Sequence, residues 1–373
     1  MLYETDTYKE IRQQPKMWKE TQDIIAMLRQ NFTEFVEKIN NYADGKPVKV
    51  YFTGAGSSAY VGDILRLAKS NKFSQNWNFE NVSTTHFVTN PLAFIEEGIV
   101  YVFVSFARSG NSPETKGTIK LANQLTNQLT DDVFHIFITN NKDGFLGTYE
   151  DSNIFKIILP EETNDKSLAM TSSFSSMLLA AYLLFGGEVS NDFYEKIESA
   201  FDSIEELADK ISEYDYKKVF YVGTGLIGEL TREVALKLNE LTSGQIGISR
   251  ETTLGFRHGP KAGLSKDSIF ILLRSNDSYR REYEIDLINE IESGNPDYQV
   301  LILGSSNDDS RNAIALKYAE DFNDFELALT YLVFGQLLAS KQSIKFGLNP
   351  DNPSPDGFIN RVVKGVTIYD YKK

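Results

Sequence analysis

A strand, a glycine-rich turn and a helix occur together twice in this chain, 169 residues apart, and that repeat restricts the fold more than any other feature. Lys49-Val50-Tyr51-Phe52 runs into Thr53-Gly54-Ala55-Gly56-Ser57-Ser58, and helical spacing through Ile64, Leu65 and Leu67 follows. Lys218-Val219-Phe220-Tyr221-Val222-Gly223-Thr224-Gly225 repeats that opening. Such a unit begins a doubly wound α/β domain. The echoes continue: residues 99–104 and 269–273 are apolar throughout, as parallel strands covered on both faces must be. Residues 133–138 and 300–303 form a second such pair, and long apolar helices over 170–185 and 325–339 close the halves. Two tandem βαβ units explain this better than one continuous sheet. The expected fold class is α/β, with two tandem doubly wound parallel-sheet domains over 46–190 and 191–345. A helical segment over 1–45 precedes them, with Ile24, Met27, Leu28, Phe32, Phe35, Val36 and Ile39 on a 3.6-residue period. An extended tail over 346–373 is broken by Gly347, Pro350, Pro353, Pro355 and Gly357 and ends in a strand-like Gly365-Val366-Thr367-Ile368-Tyr369.

Composition removes several classes of function. At 373 residues the chain has room for two or three domains with substantial cores. A net charge of −14 argues against nucleic acid as a partner, because phosphate backbones are held by clustered Lys and Arg. No run of about 18 apolar residues occurs, so no membrane partner is expected. The polar, acid-bearing start reads as neither signal nor transit peptide, and the expected address is the cytoplasm. Cysteine is absent, which excludes disulfides, thiolate nucleophiles and Cys-based metal sites. With three scattered histidines, no metal site and no cofactor are expected.

Four segments could carry chemistry, and each has a plainer reading. Gly54-Ala55-Gly56-Ser57-Ser58-Ala59 almost spells a dinucleotide fingerprint, with Glu80 roughly where a ribose-binding acid would fall. Its serines favour a phosphate or sugar oxygen at a helix N-terminus instead, and the plain reading is a tight turn capped by serine. The loop Ser105-Phe106-Ala107-Arg108-Ser109-Gly110-Asn111-Ser112-Pro113-Glu114 follows a buried strand, where open α/β sheets bind ligands. Pro113 suits the first turn of the helix that follows, so this loop reads as a second anion cradle or an ordinary connection. Glu233, Lys237 and Glu240 share one helical stripe. They are either an exposed ion-paired face or an acid–base group, with Lys237 tuning a carboxylate near the carboxyl edge of the sheet. His258, between Arg257 and Gly259-Pro260, is a positioned acid–base or a turn residue. His135 interrupts an apolar strand and reads as a satisfied core or sheet-edge residue, and His86 has no chemical neighbours. The halves differ. The first turn keeps Ser57 and Ser58, whereas the second reads Gly225-Leu226-Ile227; the second helix carries the charged stripe where the first offers Ala59, Asp63 and Arg66. One half is suited to hold phosphate and the other to move protons.

The ordered motifs GAGSS, SFARSGNSPE, SLAMTSSF, E-x3-K-x2-E and RHGP resemble the sugar isomerase (SIS) family with two tandem domains. The chain is similar throughout to the isomerase half of glucosamine-6-phosphate synthase. From Ile11-Arg12-Gln13-Gln14-Pro15 to the tail it is more similar to bacterial galactosamine-6-phosphate deaminase/isomerases, formerly labelled tagatose-6-phosphate ketose/aldose isomerases. The resemblance implies that Ser58, Ser109 and Ser112 hold the phosphate and nearby sugar oxygens, and that Thr171 lines the same site; Ser57 and Arg108, which lie beside them in the same loops, are expected to share in binding. It implies that Glu240 shuttles a proton between C1 and C2, with Glu233 and Lys237 as its partners. It implies further that His258 assists ring opening, from a neighbouring subunit in the synthase, and that Lys364 approaches the carbonyl end of the sugar. Arg108 stands where the synthase has glutamine, and Met170 where it has serine.

The implied reaction converts a 2-amino-2-deoxyhexose 6-phosphate to a ketose 6-phosphate and ammonia. A glutamine-using synthase needs an ammonia-releasing domain built around a cysteine, and this chain has no cysteine, so hydrolysis is the expected direction. A plain aldose–ketose isomerase, a ketoamine-phosphate cleaving enzyme, a non-catalytic phosphosugar sensor and a nicotinamide-dependent enzyme are the alternatives. The expected partners are a small sugar phosphate and further copies of the chain, as a homodimer or higher homo-oligomer with sites near the subunit interface.

Overall fold

A computed structural model describes residues 2–68, 73, 76–129, 133–295, 297–306, 310–354, 356–363 and 365–371. It contains two five-stranded sheets. The first joins β1 (Val48–Thr53), β2 (Trp77–Asn81), β3 (Val100–Ala107), β4 (Val133–Thr139) and β5 (Ile154–Ile158) in the order β2-β1-β3-β4-β5. The second joins β6 (Lys218–Gly223), β7 (Gly247–Thr252), β8 (Ser268–Leu273), β9 (Gln299–Gly304) and β10 (Ala313–Ala315) in the order β10-β9-β8-β6-β7. Read from the other edge, the second order reproduces the first, so the sequence repeat is a repeat of topology. Every strand pair is parallel.

The helices are α1 (Asp6–Arg12), α2 (Gln14–Ala43), α3 (Ser57–Leu67), α4 (Thr84–Thr89), α5 (Pro113–Leu129), α6 (Phe145–Thr148) and α7 (Ser172–Leu184) in the first half. In the second half they are α8 (Phe193–Ser212), α9 (Gly225–Leu241), α10 (Ser278–Gly294) and α11 (Asp324–Lys345). Among these described residues no helix is long and apolar enough to cross a membrane.

The chain forms two compact lobes, and both ends of the chain change sides. The N-terminal lobe carries the first sheet and comprises Lys16–Asp165, Ser172–Glu188 and Ile359–Lys373. The C-terminal lobe carries the second and comprises Met1–Pro15, Lys166–Thr171 and Val189–Phe358. Specific polar contacts fix these exchanges. In the C-terminal lobe Asp351 accepts from the backbone N–H groups of Asp6 at 3.0 Å and Thr7 at 2.8 Å, so a distant carboxylate caps α1. Gln14 donates to Gln336 on α11 at 2.8 Å. In the N-terminal lobe the tail is pinned by Arg361, which donates to the Asp165 carbonyl at 2.7 Å, and by the Lys120–Asp370 ion pair. The strand-like run 365–369 joins neither sheet, a correction to the reading from sequence. Its apolar residue Ile368 packs instead on α5 at Gly117, where a Cβ would come within 2.9 Å of Ile368 Cγ2.

Continuous apolar strands are buried on both faces: all eight residues of β3 are buried, as are all seven of β4. His135 on central β4 is a core residue whose Nε2 lies 2.8 Å from Asn123 Oδ1, and burial pushes its pKa down to about 4. His86 lies exposed on α4. On the other side of the N-terminal lobe, Trp18 on α2 donates its indole N–H to Ser175 on α7 at 2.8 Å. In the C-terminal lobe α11 is buried from Phe325 through Ser343 and starts with a capping box between Asn323 and Glu326. α9 and α11 approach closely at Gly335, where a Cβ would sit 2.5 Å from Val234 Cγ1. The edge strands β2, β5, β7 and β10 were not legible, because their exposed faces carry residues such as Asn78, Glu80, Lys156 and Arg250.

Helix propensity alone makes Gly335→Ala stabilising by about 1 kcal/mol, whereas crowding of this kind costs about 1–3 kcal/mol. We expect Gly335→Ala to lower the urea midpoint, and the same change to be neutral or stabilising in a Val234→Ala background. A higher midpoint for Gly335→Ala alone would show that the two helices do not meet as described.

Candidate functional site

In the N-terminal lobe, two loops rise from the carboxyl ends of β1 and β3. Gly54 is required because α3 turns back directly onto it: a Cβ would lie 2.5 Å from the Ser58 carbonyl carbon. Gly56 adopts φ +57, a left-handed conformation that glycine tolerates without strain. Ser57 and Ser58 therefore occupy the buried first turn of α3, whose N-terminus has no side-chain cap. Backbone N–H groups and hydroxyls at a helix N-terminus suit an anion.

The second loop is braced from below. Asn141 Nδ2 donates to the Ser109 carbonyl at 3.0 Å, and Asn111 Oδ1 accepts from the Phe145 N–H at 3.0 Å. Ser109 Oγ accepts from the Asn111 N–H at 3.2 Å. Ser112 has a structural duty, since its Oγ accepts from the Thr115 N–H at 3.2 Å and so caps α5. Arg108 is buried and donates to the Arg361 carbonyl at 2.7 Å, linking the loop to the tail.

Sequence reasoning passed over further polar groups around the same edge. Thr53 and Ser105, paired across β1 and β3, each bury a hydroxyl that has no hydrogen-bond partner among the described residues. The same holds for Asn140 Oδ1, just after β4, and for Ser172 Oγ, the first residue of α7. Buried polar groups are rarely left unpaired without a reason, and a polar ligand or water would satisfy these four, as it would others elsewhere in the chain such as Thr21. The available signal was that the apolar strands end in Thr and Ser.

In the C-terminal lobe the charged stripe of α9 is not an exposed face. The Glu233 and Lys237 side chains are 0% and 1% exposed, and Lys237 Nζ lies 3.3 Å from Glu233 and 2.7 Å from Glu240. Burial opposes the charge on Lys237, and the attraction of Glu233 and then Glu240 outweighs it, so its pKa stands above the ordinary lysine value. Glu240 is 24% exposed and is the member of the group that solvent or a ligand reaches.

The position of the group corrects one expectation. α9 starts at the carboxyl edge of β6, and its 17 residues span about 25 Å before the chain returns to start β7. Glu240, in the last turn, therefore lies at the amino edge of this sheet. His258 follows β7, exposed, after a short 3-10 turn Gly255–Arg257, in a segment that has left the carboxyl edge: Phe256 packs on Phe220 and Phe270 in the middle of β6 and β8. Neighbouring Arg257 and Lys261 both pair with Glu290, and Lys261 foremost holds that carboxyl below its usual range.

Thr171 is buried in the segment Lys166–Thr171, which is counted with the C-terminal lobe. Lys364 lies outside the described residues. Among the described residues no group of three or more His, Asp and Glu side chains is arranged to hold a metal ion.

Comparison with known proteins gives this geometry a family. Residues 45–186 match the SIS domain. The chain is 37% identical over 374 residues to D-galactosamine-6-phosphate deaminase AgaS of Shewanella sp. (strain ANA-3), covering 98% of this chain and 92% of that protein. It is 32% identical over 379 residues to D-galactosamine-6-phosphate deaminase AgaS of Escherichia coli O157:H7, covering 99% and 96%. The crystal structure of tagatose-6-phosphate ketose/aldose isomerase from Escherichia coli superposes with a TM-score of 0.87 at 30% identity, covering 99% of this chain and 98% of that one. The chain belongs to the SIS-domain family, in the branch that contains the D-galactosamine-6-phosphate deaminases.

Proposed function

We propose that the chain is an amino-sugar-phosphate deaminase/isomerase that converts a 2-amino-2-deoxyhexose 6-phosphate, galactosamine 6-phosphate foremost, to tagatose 6-phosphate and ammonia. The observation that carries the reading is the buried Glu233–Lys237–Glu240 group, which presents one partly exposed carboxylate braced by an ammonium. Such a carboxylate is a base fixed in position, which a proton transfer between adjacent carbons needs. The names of relatives similar over nearly the whole chain support the amine-releasing direction and the galacto substrate.

In this reading Ser57, Ser58, Ser109 and Ser112, with Thr171, hold the phosphate and neighbouring oxygens, and binding energy is gained far from the reacting carbons. Arg108 sets the loop through its bond to Arg361. His258 helps open the pyranose. Glu240 removes the C2 proton as the C1 carbonyl oxygen gains one, giving an enolamine, and returns a proton to C1. The C2 imine that results is hydrolysed by water to the ketone and ammonia. Lys364 is assigned to the carbonyl end of the sugar. A site that takes His258 from a second copy belongs to this reading, and with it a homodimer or higher oligomer. A cytoplasmic address belongs to this reading, because a phosphorylated sugar does not cross a bilayer unaided.

Two measurements test it. Glu240→Gln should bind substrate with little change in affinity and lose about 10²- to 10⁴-fold in kcat, the usual contribution of a positioned base; normal turnover would remove Glu240 from the mechanism. Across a panel of hexose and 2-amino-hexose 6-phosphates, galactosamine 6-phosphate should yield one ammonia per ketose phosphate. Isomerisation of a hexose 6-phosphate with no ammonia from any amino sugar would replace this reading with a plain isomerase.

A further inference from the structure

The C-terminal lobe contains a counterpart of the serine cradle that the proposed reaction gives no task. β6, β8 and β9 take the places of β1, β3 and β4 in the second sheet. The turn Gly223-Thr224-Gly225 therefore stands where Gly54-Ala55-Gly56 does, and Gly225 has φ +61 beside +57 at Gly56. The loop 274–277 between β8 and α10 stands where 108–112 lies between β3 and α5. Helix N-termini still converge on this edge, which keeps the corner electropositive.

The filling is different. Asp324, the first residue of α11, replaces Ser172, the first residue of α7. Its carboxylate accepts from Ser275 Oγ at 2.9 and 2.7 Å, from the Asn276 N–H at 3.0 Å and from the Arg280 guanidinium. Arg280 in turn lies across the glycine turn, since a Cβ on Gly225 would come within 3.1 Å of its Nε. A second carboxylate, Glu284, accepts from the Ser275 N–H at 3.3 Å and lies 3.7 Å from Arg274. A hydroxyl, a backbone N–H and a guanidinium around one anionic group are the donors that commonly surround a bound phosphate. In the N-terminal lobe the matching edge has orphaned hydroxyls; its buried carboxylate, Asp165, accepts from the Ser173 N–H and hydroxyl in the first turn of α7, and the position of Asp324 is held by Ser172.

We propose that the second cradle is occupied by its own chain: the Asp324 carboxylate takes the place a phosphate would fill, so each chain accepts a single sugar phosphate. A tethered carboxylate competes at high effective concentration, and together with Glu284 it repels a free dianion. The cradle then works as an internal strut that ties α11 to the loop after β8.

The test uses the full-length chain and inorganic phosphate as probe. Asp324→Ser restores the residue type found at Ser172, and Arg280→Met/Asp324→Ser removes the guanidinium as well. Calorimetric titration should give one more phosphate per chain for Asp324→Ser than for the parent, and the double variant should lose that addition. If Asp324→Ser folds poorly without ligand, phosphate should restore its cooperative thermal unfolding. Equal phosphate counts in parent and folded variant, or a misfolded variant that phosphate does not rescue, would overturn the proposal. So would two phosphates per chain in the parent. The readout is a difference between variant and parent, so a first cradle that binds no phosphate would sink the function proposed above and leave this inference standing.

Discussion

A lysine ammonium removed from water survives only beside carboxylates, and Lys237 imposes that condition on the C-terminal lobe. It lies on α9 with Glu233 one turn before it and Glu240 nearly one turn after it, and no side-chain surface of Glu233 meets solvent. Removing one partner from such a group leaves an uncompensated buried charge at a cost of about 3–5 kcal/mol, so the three residues are fixed as a set. The close approach of α11 through Gly335 helps hold α9 in place. One carboxylate oxygen at the end of this set remains within reach of a ligand. That is the structural content of the acid–base assignment.

The two lobes share one topology and have divided its uses. In the N-terminal lobe the carboxyl edge of the sheet ends in hydroxyls: Thr53, Ser57, Ser58, Ser105, Ser109 and Ser172. In the C-terminal lobe the same edge carries Asp324 and Glu284, already engaged with Ser275, Arg274 and Arg280. The first edge offers donors to an anion, whereas the second has neutralised its donors internally. On the proposed reading the repeat leaves one open cradle and one structural one, while the Glu233–Lys237–Glu240 group sits towards the far end of α9.

The central strands, the glycine turns and the two long buried helices were legible because burial on both faces leaves no choice but apolar residues. The triad on α9 was ambiguous because spacing gives the same stripe whether a helix faces water or protein. What decides burial is the packing of α11, distant in sequence. Thr53 and Ser105 were hidden at the ends of runs read as apolar, and Asp324 looked like any acid in a first helical turn. The exchange of chain ends between lobes depends on single long-range bonds such as Asp351 to Thr7, which leave no local pattern. The tail failed as a strand because Ile368 found a glycine on α5 to pack against.

The central claim is that a proton moves from C2 to C1 before the amine leaves, and a labelled substrate tests it most directly. Galactosamine 6-phosphate carrying deuterium at C2 should react more slowly than the unlabelled sugar. It should give a ketose phosphate in which the label sits at C1 or has passed to solvent. Ammonia released with an aldose phosphate that keeps its deuterium at C2 would mean direct displacement of the amine, and the assignment of Glu240 would fall.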